Sequence, residues 1–290
     1  MRSYVPAYDL RVPATLEEAL ALIAESGGSW RPFAGGTDLM VLLEAGKLPQ
    51  TRYVSLRGLD ALTGVIVSKD EIVVRALTTY AEIRGHEELA REFPLLGAAA
   101  RETGGIATQN RGTIGGNIAN ASPAADTPPA LLAYDASLDL VSVRGIRRVP
   151  YAAFHTGYKT MDLAAGELIA AVRLPRGRGW THQDYRKVGT RRAQAISKVC
   201  FAGTLKTDAG VVSDVRLAFG SVAPIPLRAR TAEAAVRGQR LDPDTVAAAE
   251  AALLHDIAPI DDVRSTASYR AGVAVNLVRV FLAGSSSTGA

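Results

Sequence analysis

Two pairs of adjacent glycines in the first half of the 290-residue chain limit its fold more than any other feature. Gly35-Gly36 separates a short apolar run at residues 30–34 from a helical pattern at residues 38–45, and Gly115-Gly116 ends a glycine-rich stretch at residues 104–116. Adjacent glycines allow positive φ angles and leave no side chain between the backbone and a neighbouring group. The sequence therefore predicts two sites at which the backbone comes close to a ligand.

The first glycine pair lies in Pro32-Phe-Ala-Gly-Gly-Thr-Asp-Leu39, between a predicted strand and a predicted helix. Free N–H groups in the first helical turn favour negative charge, so this segment predicts a cradle for a pyrophosphate. It has neither the lysine and spacing of the mononucleotide P-loop nor the G-x-G-x-x-G dinucleotide pattern. Glycine turns between a strand and a helix are also common without a ligand, so this segment alone leaves a nucleotide role open.

The second glycine pair lies in Thr113-Ile-Gly-Gly-Asn117. The two end residues supply hydrogen-bonding side chains, and we expect the two glycines to expose backbone N–H groups. Asp126 precedes a helix predicted to be capped by Thr127, with Pro128 in the first position. Its carboxylate either reaches ribose hydroxyls or acts only on the charge at the helix end. Two separated loops would allow an extended dinucleotide to be held from two sides.

Composition and charge exclude several classes of protein. Hydrophobic residues make up 48% and charged residues 21% of the chain, as in ordinary folded domains. The net charge is +4 and aromatic residues amount to only 6%, whereas nucleic-acid binders more often carry a basic stripe interleaved with aromatics. No apolar stretch approaches the roughly 20 residues that span a bilayer, and the N-terminus has no signal-peptide pattern. We therefore expect a cytoplasmic protein whose charge is solvated surface, or meets an acidic partner or an anionic ligand.

A single cysteine, Cys200, limits the redox chemistry of the chain. One thiol cannot form an internal disulfide or supply the ligands of an iron–sulfur cluster or a structural zinc site. We expect Cys200 to be a buried, inert thiol. The four histidines share no metal-ligand spacing, so no metal site is predicted. Any redox chemistry must come from an organic cofactor or from another chain.

The remaining patterns predict alternating strands and helices. Thr15-Leu-Glu-Glu18 is a capping box for a helix that Ser26-Gly27-Gly28 ends, and a strand at residues 52–55 completes a parallel βαβ unit. Pro175–Gly179 is the predicted linker. The other predicted elements are a hairpin at 63–68 and 71–76, a helix at 94–102, a half-buried strand at 137–143, strands at 167–174, 183–188, 197–207 and 211–219, and helices at 231–236, 242–255 and 268–283.

The two glycine segments, followed by Asn120-Ala-Ser-Pro-Ala-Ala-Asp126, resemble the FAD-binding medium subunits of molybdenum hydroxylases, a family that includes carbon monoxide dehydrogenase and xanthine dehydrogenase. The resemblance continues through residues 185–197, Gly220-Ser-Val-Ala-Pro224 with Arg228, and Ser268-Tyr-Arg270. It covers essentially the full length in the order of the family.

The resemblance implies an α+β fold with two domains. An FAD-binding domain of the vanillyl-alcohol-oxidase (PCMH) type would occupy residues 1–176, in subdomains at about 1–57 and 58–176. A flavoprotein C-terminal domain with a small antiparallel sheet and helices would occupy residues 180–284, and residues 285–290 would form a flexible tail.

The resemblance also implies how FAD is bound. Residues 32–39 would wrap the pyrophosphate, and residues 113–117 would contact the phosphates or the flavin from the opposite side. Asp126 would hold a polar part of the cofactor, Ile169 would meet the isoalloxazine through its backbone, and Ile196 would lie against the ring face. The implied FAD-binding residues are Pro32, Phe33, Ala34, Gly35, Gly36, Thr37, Asp38, Leu39, Thr113, Gly115, Gly116, Asn117, Asp126, Ile169, Lys187 and Ile196.

By the same resemblance, Lys187 would approach the flavin, where a cation stabilises the reduced anion and raises its potential. The alternative is a strand-edge lysine in solvent. Arg191 and Arg192 are expected to face a partner or solvent. This chain has Ala107-Thr-Gln-Asn110 where many members have Gln-Ile-Arg-Asn, so Thr108, Gln109 and Asn110 are assigned no role.

The implied function is electron transfer in a molybdenum-dependent oxidoreductase complex. A large subunit would hold molybdopterin, a small subunit would carry two [2Fe-2S] clusters, and FAD on this chain would pass electrons to NAD, a quinone or oxygen. No catalytic residue is predicted in this chain. Two alternatives remain: a free-standing FAD oxidoreductase similar to UDP-N-acetylenolpyruvylglucosamine reductase, and a flavin-free adaptor that kept the fold for assembly.

Overall fold

The computed structural model of the protein describes residues 7–25, 29–191 and 194–286. In this part of the chain, sheets of three, five and four strands follow one another in sequence, and a two-stranded hairpin accompanies the second. Each of the three larger sheets packs with its own set of helices. The candidate site lies where the first two sheets meet, so the description below follows the chain toward it.

The first sheet is parallel, with strand order β1-β3-β2. The predicted βαβ unit at residues 30–55 is confirmed, and a further strand that was not predicted pairs in parallel with its last strand. The elements are β1 (Asp9–Arg11), α1 (Leu16–Glu25), β2 (Trp30–Phe33), α2 (Leu39–Glu44) and β3 (Arg52–Ser55).

The predicted capping box at the start of α1 forms in a shifted version. Thr15 Oγ1 accepts the N–H of Glu18 at 3.2 Å, as expected. The Glu18 carboxylate accepts the N–H of Ala14 at 2.7 Å instead of that of Thr15, so it satisfies a donor one residue earlier. The predicted helix end at residues 26–28 lies outside the described residues.

The second sheet is antiparallel throughout, with strand order β4-β5-β10-β6-β7, and its apolar side chains share one core with five short helices of the described chain. The predicted hairpin, the helix at 94–102 and the strand at 167–174 are confirmed within one or two residues. The elements are β4 (Val65–Val67), β5 (Glu71–Arg75), α3 (Tyr80–Gly85), α4 (Glu87–Glu92), α5 (Pro94–Glu102), α6 (Ile106–Gln109), α7 (Ile114–Ala119), α8 (Pro128–Ala133), β6 (Ser137–Ser142), β7 (Gly145–Pro150), β8 (His155–Gly157), β9 (Thr160–Met161) and β10 (Leu168–Pro175).

Two predictions for this region were wrong. The glycine-rich stretch at residues 104–116 is not a continuous loop, because it contains α6 and the start of α7. The strand at 137–143 is not half-buried, since residues 138–141 are all buried. Its polar member Asp139 is covered by ion pairs with Arg148 at 2.8 Å and Arg173 at 2.6 Å, which remove the alternation.

The third sheet is antiparallel with strand order β11-β12-β13-β14 and packs against three helices. All six predicted elements are present, and α11 continues through Ser286, so residues 285 and 286 do not belong to the predicted tail. Residues 287–290 lie outside the described part. Among the described helices, including the 20-residue α11, none has the length and apolar character needed to cross a bilayer. The elements are β11 (His182–Val188), β12 (Val199–Asp208), β13 (Val211–Gly220), β14 (Leu227–Arg228), α9 (Arg230–Val236), α10 (Pro243–Asp256) and α11 (Ala267–Ser286).

Helix α8 connects the second and third sheets. All six of its side chains are buried, and it packs against β12 and β13. Beyond its C-terminal end, the Tyr134 hydroxyl donates to Gln183 at 2.7 Å, and Asp135 pairs with Arg216 and Arg228 at 3.0 and 2.5 Å. These contacts fix the third sheet relative to the first half of the chain.

A bidentate ion pair between Arg176 and Glu92, with distances of 2.6 and 2.8 Å, joins the end of β10 to α4. It lowers the pKa of Glu92 to about 2, from 4.5, chiefly through the hydrogen bond from Arg176. A depressed carboxyl pKa stabilises the fold above pH 4.5, and this contribution is lost as the pH falls toward 2. Glu92→Gln should therefore lower the free energy of unfolding by about 1 kcal/mol at neutral pH and by progressively less below pH 4.5.

Urea unfolding over a pH series measures this difference. Glu44→Gln, at an exposed residue of α2 with no ion pair in the described chain, is the matched control. A cost of Glu92→Gln that stays constant down to acid pH would contradict the assignment.

Candidate functional site

A cavity of about 460 Å³ opens between the β2–α2 turn, the ends of β3 and β5, helix α7 and the start of β10. Its size lies in the range of small-molecule sites. Twelve of the predicted site residues line it: Pro32, Ala34, Gly35, Gly36, Thr37, Asp38, Leu39, Thr113, Gly115, Gly116, Asn117 and Ile169. The lining residues that were not predicted are Arg31, Leu56, Ala76, Leu77, Tyr80, Thr103, Thr108, Gly112, Ala119, Asn120, Leu163, Glu167 and Leu168.

The first glycine pair is required by contact between two backbone segments. A Cβ atom on Gly35 would lie 1.9 Å from the carbonyl oxygen of Arg111, a distance that no side chain tolerates. Gly36 has a φ of +75°, the left-handed region that favours glycine. The Arg111 side chain also donates to the Gly35 carbonyl at 3.3 Å. The two glycine segments, 76 residues apart in sequence, therefore interlock at one wall of the cavity.

The β2–α2 turn leaves hydrogen-bond donors at this wall. Among the described residues, no acceptor receives the backbone N–H groups of Gly35, Gly36 or Thr37. Arg31 also lines this cavity, and its guanidinium group donates to Gln50 Oε1 at 3.1 Å. Unpaired N–H groups beside a cation favour an anionic ligand, as the first glycine segment predicted.

The second glycine pair does not expose its N–H groups, and this prediction was wrong. Gly115 donates to the carbonyl of Ala76 at 2.9 Å, and Gly116 donates to Thr113 Oγ1 at 3.1 Å. The reason is that residues 113–117 form the capped first turn of α7 instead of a loop. A Cβ atom on Gly115 would lie 2.6 Å from that of Ala76, so glycine permits close packing of α7 on the end of β5.

Part of the cavity lining is apolar. Leu56 follows β3, Leu77 follows β5, and Leu168 opens β10, next to Ile169 at a β-bulge. The sequence analysis missed these leucines: Leu56 and Leu77 lie just beyond predicted strands, and Leu168 lies inside the strand predicted at residues 167–174. The available signal was an apolar residue at the end of each of these predicted strands. These apolar side chains suit a flat ring system, and the charge of Glu167 in the same lining is paired with Arg147 at 2.7 Å.

Four predicted site residues do not line the cavity: Phe33, Asp126, Lys187 and Ile196. The Phe33 ring lies directly behind Gly36 and packs edge-on against Tyr53, with ring centroids 6.5 Å apart. Ile196 is 54% exposed after β11. Phe33 therefore supports the turn from the far side, and the contact of Ile196 with a ring stays a prediction.

Asp126 and Lys187 form a buried ion pair across the two halves of the chain. Lys187 Nζ lies 2.8 Å from Asp126 Oδ2 and donates to the carbonyl of Glu102 at 2.8 Å. Ser197 Oγ donates to the other carboxylate oxygen at 2.6 Å. Burial raises the pKa of Asp126, and Lys187 and Ser197 oppose that rise. The solvent-facing alternative for Lys187 was wrong, because the side chain is only 5% exposed.

The structure also places the residues to which the sequence analysis assigned no role in FAD binding. Gln109 is buried and structural, since it accepts from Arg84 and donates to the Arg101 carbonyl at 2.8 Å. Thr108 lines the cavity. Cys200 is fully buried, as predicted, and burial raises the pKa of its thiol. Arg192 lies outside the described residues.

Two family models match the chain in succession. The model described as the FAD binding domain in molybdopterin dehydrogenase matches residues 6–177. The model described as the CO dehydrogenase flavoprotein C-terminal domain matches residues 184–284. Together they include the cavity, the Asp126–Lys187 pair and the third sheet.

Individual relatives match over nearly the whole chain. The xanthine dehydrogenase FAD-binding subunit of Escherichia coli is 32% identical, over 89% of this chain and 88% of its own length. The glyceraldehyde dehydrogenase medium chain of Sulfolobus acidocaldarius is 33% identical, over 92% of this chain and 94% of its own. A chain of carbon monoxide dehydrogenase from Hydrogenophaga pseudoflava superimposes with a TM-score of 0.93 at 28% identity, covering 97% of this chain and 98% of that chain.

The Asp126–Lys187 pair leads to a stability prediction. Lys187→Met should lower the free energy of unfolding by about 3 to 5 kcal/mol, because it leaves a buried carboxylate without its cation. The double variant Lys187→Met, Asp126→Asn should lose less than Lys187→Met alone, since no buried charge remains unpaired. Urea unfolding of the two variants measures the difference.

Lys206→Met is the matched control, at a partly exposed lysine of the same sheet. If Lys187→Met costs no more than Lys206→Met, Lys187 is not held by a buried charge.

Proposed function

The chain belongs to the family of FAD-binding medium subunits of molybdenum hydroxylases, and we propose that it transfers electrons from the [2Fe-2S] clusters of a partner subunit, through FAD, to a terminal acceptor. The predicted fold class, the FAD cofactor and the oxidoreductase assignment are confirmed by the family and structural matches. The flavin-free adaptor is thereby overturned.

The cavity fits a dinucleotide, and this fit is the observation that supports the placement of FAD. Its polar wall supplies unpaired N–H groups at Gly35 to Thr37 and the cation of Arg31, which suit the diphosphate. Its apolar lining residues Leu56, Leu77 and Leu168 suit a ring of the cofactor. When bound, FAD supplies a centre that accepts electrons singly and can release them as a hydride. The twelve predicted residues that line the cavity would make the direct contacts.

Asp126, Lys187, Phe33 and Ile196 would act on the cofactor from outside this lining. The Lys187 cation is compensated by Asp126 at 2.8 Å, so its field at the cavity is that of an ion pair and weaker than that of a free charge. We therefore assign Lys187 first to the junction between the two halves of the chain. Its approach to the flavin stays a secondary proposal.

Partner subunits follow from what this chain lacks in sequence. One cysteine cannot hold an iron–sulfur cluster, so the electron donor must be on another chain. Relatives named for xanthine, glyceraldehyde and carbon monoxide are all similar to this chain over most of its length. This similarity supports a substrate site on another subunit. We propose a molybdopterin-binding large subunit and a [2Fe-2S] small subunit as partners, with NAD, a quinone or oxygen as acceptor.

The free-standing reductase is the less favoured alternative. The relatives named as medium chains or FAD subunits match this chain over about nine-tenths of their lengths, including the third sheet. An independent reductase would need a substrate pocket in that last domain, and reduction of the isolated protein by NADPH would favour it.

The polar wall gives a direct test of the placement of FAD. Gly36→Asp should abolish FAD retention, because it adds a side chain and a negative charge beside the unpaired N–H groups. Flavin absorbance of the purified protein measures retention, and circular dichroism checks the fold. Thr37→Asp introduces the charge at an exposed lining residue without positive-φ strain and should weaken FAD binding in the same direction.

Gly46→Asp is the matched control, since Gly46 also has a positive φ, of +64°, but has no neighbour within 4 Å of an added Cβ. Full flavin content in both Gly36→Asp and Thr37→Asp would refute the placement of the diphosphate.

The partner proposal is tested by affinity purification of the chain from its native host. We expect a molybdenum protein and an iron–sulfur protein in stoichiometric amounts, since obligate interfaces bury more than roughly 2,000 Å². Metal analysis and the visible spectrum of the complex identify both. Recovery of an FAD-loaded chain without either protein would favour the free-standing enzyme.

A further inference from the structure

The hydroxyl of Thr127 bonds a residue of the cavity and not the helix that it precedes. Thr127 is fully buried, and its Oγ1 donates to Oδ1 of Asn117 on α7. Asn117 lines the cavity, and Thr127 does not. The contact joins the residue before α8 to a side chain that faces the candidate cofactor.

The sequence around Thr127 explains why its hydroxyl is available. An N-cap side chain normally accepts the N–H of the second or third helical residue. Here the first two helical residues are Pro128 and Pro129, which have no N–H group. Thr127 itself has a helical backbone, with φ −78° and ψ −31°, and makes no side-chain cap bond. The predicted capping role was therefore wrong, and the hydroxyl is free to serve Asn117.

The bond sets which end of the Asn117 amide can serve a ligand. An asparagine side chain has one carbonyl oxygen that accepts and one NH₂ group with two donors. With Oδ1 engaged by Thr127, the NH₂ group remains, and it has no acceptor among the described residues. Asn117 thus presents donors to the cavity, beside the unpaired N–H groups of the β2–α2 turn.

The bonds of the preceding residue, Asp126, and the burial of Thr127 hold Thr127 in this position. Asp126 is fixed by Lys187 and Ser197 at 2.8 and 2.6 Å. Thr127 itself is fully buried, which restricts its rotation. The hydroxyl therefore has little freedom to turn away from Asn117.

We propose that Thr127 is a positioning residue for the cofactor: it fixes the Asn117 amide so that its NH₂ group donates to an acceptor atom of FAD. The inference rests on the proposed placement of FAD in this cavity. It assigns to the start of α8 a function in binding, in addition to its place in the packing between the two halves of the chain.

The test is a double-mutant cycle on FAD affinity in the full chain, with FAD as the titrated ligand. Thr127→Val keeps the shape of the side chain and removes the donor. It should weaken FAD binding roughly threefold to tenfold, the range expected for one net hydrogen bond. Thr127→Ser should restore the affinity to within about twofold, because it keeps the hydroxyl. Added to Asn117→Ala, Thr127→Val should cause no further loss, since the residue it positions is gone.

Thr204→Val is the matched control, because Thr204 is fully buried in β12 with no partner for its hydroxyl in the described residues. It should leave FAD affinity unchanged. If Asn117→Ala weakens binding while Thr127→Val does not, the positioning role is overturned and the placement of FAD stands. Equal, additive losses from the two variants would also overturn it. If Asn117→Ala has no effect, the contact of Asn117 with FAD fails, and the inference fails with it.

Discussion

The buried ion pair between Asp126 and Lys187 is the interaction on which the arrangement of this protein depends. The pair joins Asp126, two residues before α8, to Lys187 in β11 of the third sheet. Ser197 donates to the other oxygen of the Asp126 carboxylate. Buried charges are costly unless paired and hydrogen-bonded. Few alternative placements of the third sheet would satisfy this carboxylate, so the pair favours one arrangement of the two halves. Tyr134 and Asp135 make a second set of polar contacts at the other end of α8.

The same few residues connect this junction to the cavity. Asp126 faces the third sheet, while the next residue, Thr127, bonds Asn117 in the cavity wall. On the other wall, Gly35 fits against the backbone of residue 111 only because it has no side chain. The cavity is therefore shaped by backbone contacts and buried polar bonds, which are rigid at the positions where donors must meet a cofactor.

This construction is consistent with a family whose members are named for different substrates. The described lining contains donors, the cationic residue Arg31 and apolar side chains, which suit a dinucleotide. Relatives named for xanthine, glyceraldehyde and carbon monoxide match nearly the whole chain at 27–33% identity. Within this family the medium subunit keeps its fold while the named substrates differ, as expected if the choice of substrate is made by another chain.

The sequence by itself determined the parallel unit at residues 30–55, the strands and helices of the last third of the chain, and the glycine segment that forms the polar wall. These follow from hydrophobic periodicity, glycine pairs and helix signals, which act over a few neighbouring residues. Local pattern together with family resemblance also located twelve of the residues that line the cavity.

Only the tertiary structure decided how distant residues are used. Lys187 has the pattern of a strand-edge residue but is buried against Asp126, and Thr127 has the pattern of a helix cap but bonds Asn117. Gly115 is required by Ala76 and not by a ligand, and Leu56, Leu77 and Leu168 meet only where the ends of β3 and β5 lie beside the start of β10. The physical reason is that the partner of a buried polar or small residue is chosen by packing between segments far apart in sequence. The hydrophobic periodicity of the sequence does not indicate which distant residue becomes that partner.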